Sequence, residues 1–201
     1  MSVADTYRTI EKISEGYITE QRSKFISYAI PVSTPEEAKE YVDLYRKQYY
    51  DARHVCWAYM LEPERTVFRV NDDGEPSSTA GKPILGVINS NNLTNILIVV
   101  IRYFGGVKLG TGGLIVAYRA AAQDAVANAI IIEKTIEIEI TVSFEYPFMN
   151  SIMRIVKDHN LSVIRQDFNN NCILVLKVGQ SEAEQVVSKL QKVETASVST
   201  D

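Results

Sequence analysis

Six apolar residues, ILIVVI at 96–101, run directly into RYFGGVKLGTGG at 102–113, which holds five of the chain's ten glycines. The apolar run is far too short to span a bilayer and reads as the central strand of a sheet. Behind the glycines, LIVAYRAAAQDAVANAIII (114–132) reads as a long Ala-rich helix, apolar on most faces and therefore one that needs cover. Glycine costs backbone entropy, so a folding chain does not concentrate it between two such elements without some return.

Two returns are open. A glycine loop that opens a helix leaves backbone N–H groups free, and with the helix dipole these favour an anion. Arg102 before the loop and Lys108 inside it carry charge of the right sign, which makes Arg102, Gly105, Gly106, Lys108, Gly110, Thr111, Gly112 and Gly113 the candidate anion ligands. Alternatively, Gly112 and Gly113 let the Ala-rich helix pack closely and supply positive φ. Neither familiar phosphate motif fits. The dinucleotide fingerprint started at Gly110 meets Ile115 where its third glycine belongs, and a Walker loop over Gly105 and Gly110 is followed by Thr111 and Gly112.

Net charge is −4, which argues against a wholly basic nucleic-acid binder. The average hides a pattern, for no acidic residue occurs between Pro76 and Gln123, where Lys82, Arg102, Lys108 and Arg119 all fall. Cys56 and Cys172 are solitary and only two histidines are present, so no zinc module or disulfide framework is encoded. MSVADTYRTIEK at the start has neither a basic nor an apolar segment, and a cytoplasmic protein with reduced thiols is expected.

The rest of the chain predicts two α+β domains, 1–133 and 134–201. In the first, RTIEKIS and GYITEQ are expected to pair as strands, with KFISYAIPV as a third. TPEEAKEYVDLYRKQYY is a helix capped by Thr34 with Pro35 in its first turn. HVCWAYML and RTVFRVN are two further strands, and STAGKPILGVINSNN is a short helix opened by Ser78 or Thr79. In the second, the alternating TIEIEITVSF, a helix through Ile152 and Val156, a hairpin turning at NNN (169–171), a helix with a Ser181/Glu184 capping box and a last short strand give β-α-β-β-α-β.

Two more stretches carry chemistry. NDDGEPSSTAGKP (71–83) places Asp72, Asp73 and Glu75 together, but a calcium loop centred on Gly74 puts Arg69 and Ala80 where carboxylates are required. It reads either as an ornate turn or as a ligand loop presenting Ser77, Ser78, Thr79 and Lys82. In DARHVCWAY (51–59), His54 and Cys56 share one strand face, while Arg53 and Trp57 are expected on the other. A strand seldom gives a Cys–His pair the geometry of a nucleophile, so a structural histidine and a core thiol are expected there.

Taken together, DARHVCWAY, NDDGEPSSTAGKPIL and VVIRYFGGVKLGTGGLIVAY resemble the YigZ/IMPACT family, in order and spacing across almost all of the first domain. The resemblance implies a first domain similar to domain IV of elongation factor G and a second that is ferredoxin-like. It also implies that eukaryotic relatives control a kinase of translation initiation through an additional N-terminal domain that has no counterpart here, so kinase control is not expected of this chain. For bacterial members it implies RNA or the ribosome as partner, with no catalytic residue and no cofactor to carry over. Ser78 stands where the family commonly has glycine.

The expectation is thus a non-catalytic RNA- or ribosome-associated module that regulates translation, with no membrane partner. Arg102, Lys108 and Arg119 would hold phosphates, Lys82 and residues 77–79 would line the edge, and Tyr103 and Phe104 would stack on bases. Arg53, His54, Asp72, Asp73 and Glu75 are secondary candidates. The alternatives are an enzyme or sensor for a small phosphorylated ligand at the glycine loop, and a protein-interaction regulator. Oligomeric state is not written in the sequence.

Overall fold

The apolar run lies in the middle strand of a five-stranded antiparallel sheet with helices on both faces. The structure, a computed structural model, describes residues 5–168 and 171–200. By internal contacts it divides into two compact units, Tyr7–Lys134 and, among the described residues, 5–6 together with 135–200. The first part of the chain forms β1 (Thr6–Ile10), β2 (Ser14–Glu20), β3 (Ser23–Pro31), α1 (Pro35–Gln48), β4 (His54–Leu61) and β5 (Val67–Asn71). After these come α2 (Gly81–Ser90), β6 (Ile96–Tyr103), α3 (Gly110–Ala127) and β7 (Ile131–Thr135). Strand order in the sheet is β2-β3-β6-β4-β5.

Alternation along β6 assigns its side chains to two cores. Leu97, Val99 and Ile101 pack on the face that α1 covers, with Ala38, Val42 and Tyr45. Ile96, Ile98 and Val100 pack on the opposite face with Ile84 and Val87 of α2 and Ala117 and Ala121 of α3. Each of these aliphatic side chains gains roughly 1.5–3 kcal/mol on full burial, which explains why the strand tolerates no polar residue before Arg102. The cap of α1 is as expected, since the Thr34 hydroxyl accepts the Glu37 amide at 3.1 Å.

Three local expectations are corrected. β1 pairs with β7 rather than with β2, because alternation marks a strand without naming its partner. Neither Ser78 nor Thr79 caps α2. The Asp72 carboxylate, from the preceding turn, accepts the amides of Ala80 at 3.0 Å and Gly81 at 2.8 Å instead. α3 starts at Gly110, so the last three glycines of the loop are its first turn. Only one of its faces is buried, through Leu114, Ala117, Tyr118, Ala121, Ala122 and Ala125, while Val116 and Arg119 are exposed.

The second unit contains β8 (Glu137–Phe144), a 3₁₀ turn (Tyr146–Phe148), α4 (Met149–Asp158), β9 (Ser162–Phe168), β10 (Cys172–Gly179), α5 (Gln180–Leu190) and β11 (Ser197–Thr200). Its antiparallel sheet runs β11-β8-β10-β9. Ile140, Val142 and Phe144 of β8 meet Leu174 and Leu176 of β10 under Ile152 of α4 and Val186 of α5. The element order is the expected β-α-β-β-α-β. The Ser181 capping box does not form, because α5 already begins at Gln180, whose amide donates to the Ile136 carbonyl at 2.9 Å. Asn169 and Asn170 of the expected NNN turn lie outside the described residues.

The glycines divide by task. A Cβ on Gly105 would come within 2.0 Å of the Arg22 backbone, so here glycine serves close approach. Gly106 and Gly110 hold φ of +87° and +70°. Gly112 has open space where a Cβ would go and no left-handed backbone, which corrects the expectation that Gly112 and Gly113 supply positive φ. Gly105→Ala is therefore expected to cost about 1–3 kcal/mol or more in urea unfolding, by overpacking against backbone. Gly112→Ala, at an open helical position, is expected to be neutral or stabilising by up to about 1 kcal/mol. Equal losses at both positions would contradict this division.

Candidate functional site

Where β6 leaves the core it carries Arg102, whose cross-strand neighbours are Phe25 on β3 and His54 on β4. Arg102 is 5% exposed, a cost that only a partner offsets. Its Nη1 donates to Glu75 Oε1 at 2.5 Å, and Nη2 lies 3.5 Å from Ser23 Oγ. The guanidinium also sits 5.6 and 5.7 Å from the ring centroids of Phe25 and Phe104. Glu75 Oε1 accepts a second hydrogen bond, from Tyr118 of α3 at 2.9 Å. Cys56 Sγ lies within hydrogen-bond reach of the Tyr118 hydroxyl and the Asp72 carbonyl, at 3.3 and 3.1 Å.

Burial pushes the Cys56 thiol and the Tyr118 phenol well above their ordinary ranges. Both keep their protons, and Cys56 is a core thiol rather than a nucleophile. His54 Nδ1 donates to the Asp73 carbonyl at 2.7 Å, which fixes the ring and turns Nε2 toward Glu75 Oε1, 3.8 Å away. Arg53 precedes β4 and escapes its alternation, so it reaches the same side as His54, against expectation. Trp57 does lie on the other face, stacked on Tyr59 at 5.8 Å against the α1-side core.

Each acid of the 71–83 stretch has its own work. Asp72 caps α2 and also accepts the Ser78 amide through Oδ2 at 2.8 Å. Asp73 accepts the Val55 amide at 2.6 Å and pairs with Arg46 at 2.6 Å. Glu75 holds Arg102. Thr79 is buried and its hydroxyl donates to the Pro76 carbonyl at 2.6 Å. Ser78 has φ of +66°, a left-handed conformation that glycine adopts without strain, and this is the physical reason for glycine at its place in the resembled motif.

Beside the ion pair opens a cavity of about 380 Å³, walled by Arg53, His54, Glu75, Pro76, Arg102, Phe104, Lys108, Leu109, Gly110, Thr111 and Leu114. Of the predicted ligand residues it gathers Arg102, Lys108, Gly110 and Thr111, with His54, Arg53 and Glu75 from the secondary set. Gly105, Gly106, Gly112, Gly113, Ser77, Ser78, Thr79, Lys82, Asp72, Asp73 and Arg119 are not in its wall. The acid-free stretch is not acid-free in space, since Glu75 folds back onto Arg102. The cations that remain exposed at the cavity are Arg53 and Lys108.

A second hollow of about 480 Å³, lined by Tyr17, Arg22, Lys24, Ile26, Tyr103 and Phe104, shares the Phe104 ring with the first. Tyr17 pairs with Ile26 across β2 and β3, and Lys24 with Tyr103 across β3 and β6, which puts Tyr17, Lys24, Ile26 and Tyr103 on one sheet face. Tyr17 and Phe104 are 53% and 46% exposed, so two rings stand open beside two cations. Sequence reasoning missed Tyr17, Arg22 and Lys24. For Tyr17 and Lys24 the alternation of β2 and β3 was the signal, but it shows only once the strands are in register, and Arg22 sits in the turn between them. Tyr103 is half-buried, with its hydroxyl on Asp51 at 2.8 Å.

The Impact N-terminal domain matches residues 21–126, which take in the whole lining of the first hollow and all of the second but Tyr17. IMPACT family member YvyE of Bacillus subtilis (strain 168) is 37% identical over 147 residues, covering 73% of this chain and 68% of its own length. IMPACT family member YigZ of Escherichia coli (strain K12) is 31% identical over 172 residues, covering 85% and 84%. A crystal structure described as that of a hypothetical protein matches at a TM-score of 0.77 and 28% identity, over 98% of this chain and 97% of that one. Among the described residues no helix is long and apolar enough to cross a membrane. With its family domain and relatives matched across most of their length, this chain belongs to the IMPACT family.

Proposed function

We propose that the chain is a non-catalytic RNA-binding module that works on the translation machinery in the cytoplasm. The observation that carries this reading is the exposed Phe104 ring, flanked by Arg53 and Lys108 on one side and by Arg22 and Lys24 on the other. Single-stranded nucleic acid is held by rings on which bases stack and by cations that track the phosphates. Four cations spread over two hollows give an otherwise acidic protein a local positive field. Such contacts position a strand without reading its sequence.

The family resemblance points toward the ribosome, and the folds are read in the same sense. The second unit is read as ferredoxin-like, which its β-α-β-β-α-β order and β11-β8-β10-β9 sheet support. The first is read as similar to domain IV of elongation factor G. The ligand-sized cavity at the start of α3 favours a second reading, a sensor for a small phosphorylated ligand.

Arg102 is unsuitable as a probe, because its loss leaves Glu75 buried and unpaired. The four exposed cations suit better. Fluorescence anisotropy with a labelled single-stranded RNA should show log K falling with log salt, at a slope of about −3 if all four meet phosphates. Arg53→Gln with Lys108→Gln should roughly halve that slope while leaving the thermal melt unchanged. Phe104→Ala should weaken binding by about 1–3 kcal/mol through a lost stacking platform. Folded variants that bind like the parent would remove the reading.

A further inference from the structure

We infer that the cavity beside Phe104 takes a single guanine base, its paired N–H donors meeting Glu75. This rests on the RNA reading above and names what the site would select. The Glu75 side chain is 4% exposed and stands in the cavity wall. Arg102 and Tyr118 both engage Oε1, and Oε2 has no hydrogen-bond partner among the described residues. Oε2 is therefore the carboxylate oxygen open to N–H or O–H donors from a ligand.

His54 adds to the same demand. Its Nδ1 is spent on the Asp73 carbonyl, so in the neutral ring Nε2 presents a lone pair, 3.8 Å from Glu75 Oε1. In that form of the ring, Nε2 joins Oε2 as an acceptor on the same wall. Arg53 and Lys108 in the wall disfavour an ammonium or guanidinium as the source of the donors and favour an anionic molecule. A neutral donor group on an anionic molecule fits both, which describes a nucleotide base with its phosphate. Phe104, 46% exposed, offers a flat face for that base. About 380 Å³ is at the small end of ligand sites and suits one nucleotide rather than a run.

Among the bases, guanine sets N1–H beside its 2-amino group, two donors side by side. Adenine and cytosine each place a ring acceptor next to their amino group, and uracil sets its one N–H between two carbonyls. A buried carboxylate would reject those three and accept guanine. A ribose diol also offers two donors, but it would favour no base.

Isothermal titration of the full chain with 5′-GMP, 5′-IMP and 5′-AMP tests this, alongside anisotropy with an oligouridine RNA. GMP should bind roughly ten- to hundredfold more tightly than AMP, the range of a bidentate base contact, with IMP, which lacks the 2-amino group, in between. Glu75→Gln should erase the GMP preference, and Phe104→Ala should weaken GMP and AMP alike. If Glu75→Gln fails to fold, the GMP–IMP comparison on the parent chain decides. Equal binding of GMP and AMP, or of neither, overturns the inference, and oligouridine binding in that case leaves the RNA reading standing. A GMP preference without any RNA binding upholds the guanine site and removes the RNA reading.

Discussion

The ion pair between Glu75 and Arg102 is the contact through which the separate parts of the first unit meet. Arg102 ends the buried stretch of β6, Glu75 comes from the turn after β5, and Tyr118 reaches the same oxygen from α3. Ser23, at the start of β3, lies against Arg102 and also accepts the Gly105 amide at 3.2 Å. The acidic turn and the glycine loop, far apart in sequence, are thereby fixed to one charge. A buried pair of this kind adds little net stability compared with an apolar replacement, yet losing one partner is expensive. Its role here is to set geometry, and the cavity exists where that geometry leaves groups unmet.

Much of the fold was legible because it follows from local rules. Alternation gave β8, the apolar run gave β6, and the Thr34-Pro35 signal gave the start of α1. What could not be read was pairing at a distance. β1 displays a strand pattern that fits β2 as well as β7. The cap of α2 comes from Asp72, eight residues ahead of Ala80, beyond the reach of any local capping signature. The start of α3 was misplaced because glycines argue against helix, although a first turn tolerates them when close approach is required just before it.

The site was legible in composition and illegible in sign. Lys108, Gly110, Thr111 and Arg102 do share one cavity. Reading 76–123 as acid-free was true of the chain and misleading about the space, since Glu75 lies one residue outside that window and folds onto Arg102. The glycine question has a mixed answer. Gly105 serves packing and Gly106 and Gly110 serve the turn, while Gly112 leaves the first turn of α3 uncovered. The aromatic and basic face from Tyr17 to Lys24 belongs to register, which periodicity alone does not supply.

The dependence of the site on one buried charge pair is tested most directly by a double-mutant cycle in urea unfolding. Glu75→Leu and Arg102→Met are each expected to cost about 3–5 kcal/mol, because each strands a buried charge. The double variant should cost about 2–3 kcal/mol less than the sum of the two single losses, which is the coupling between them. Losses that simply add to within about 0.5 kcal/mol would show that the two side chains act independently, and the account of the site built on their pairing would fail.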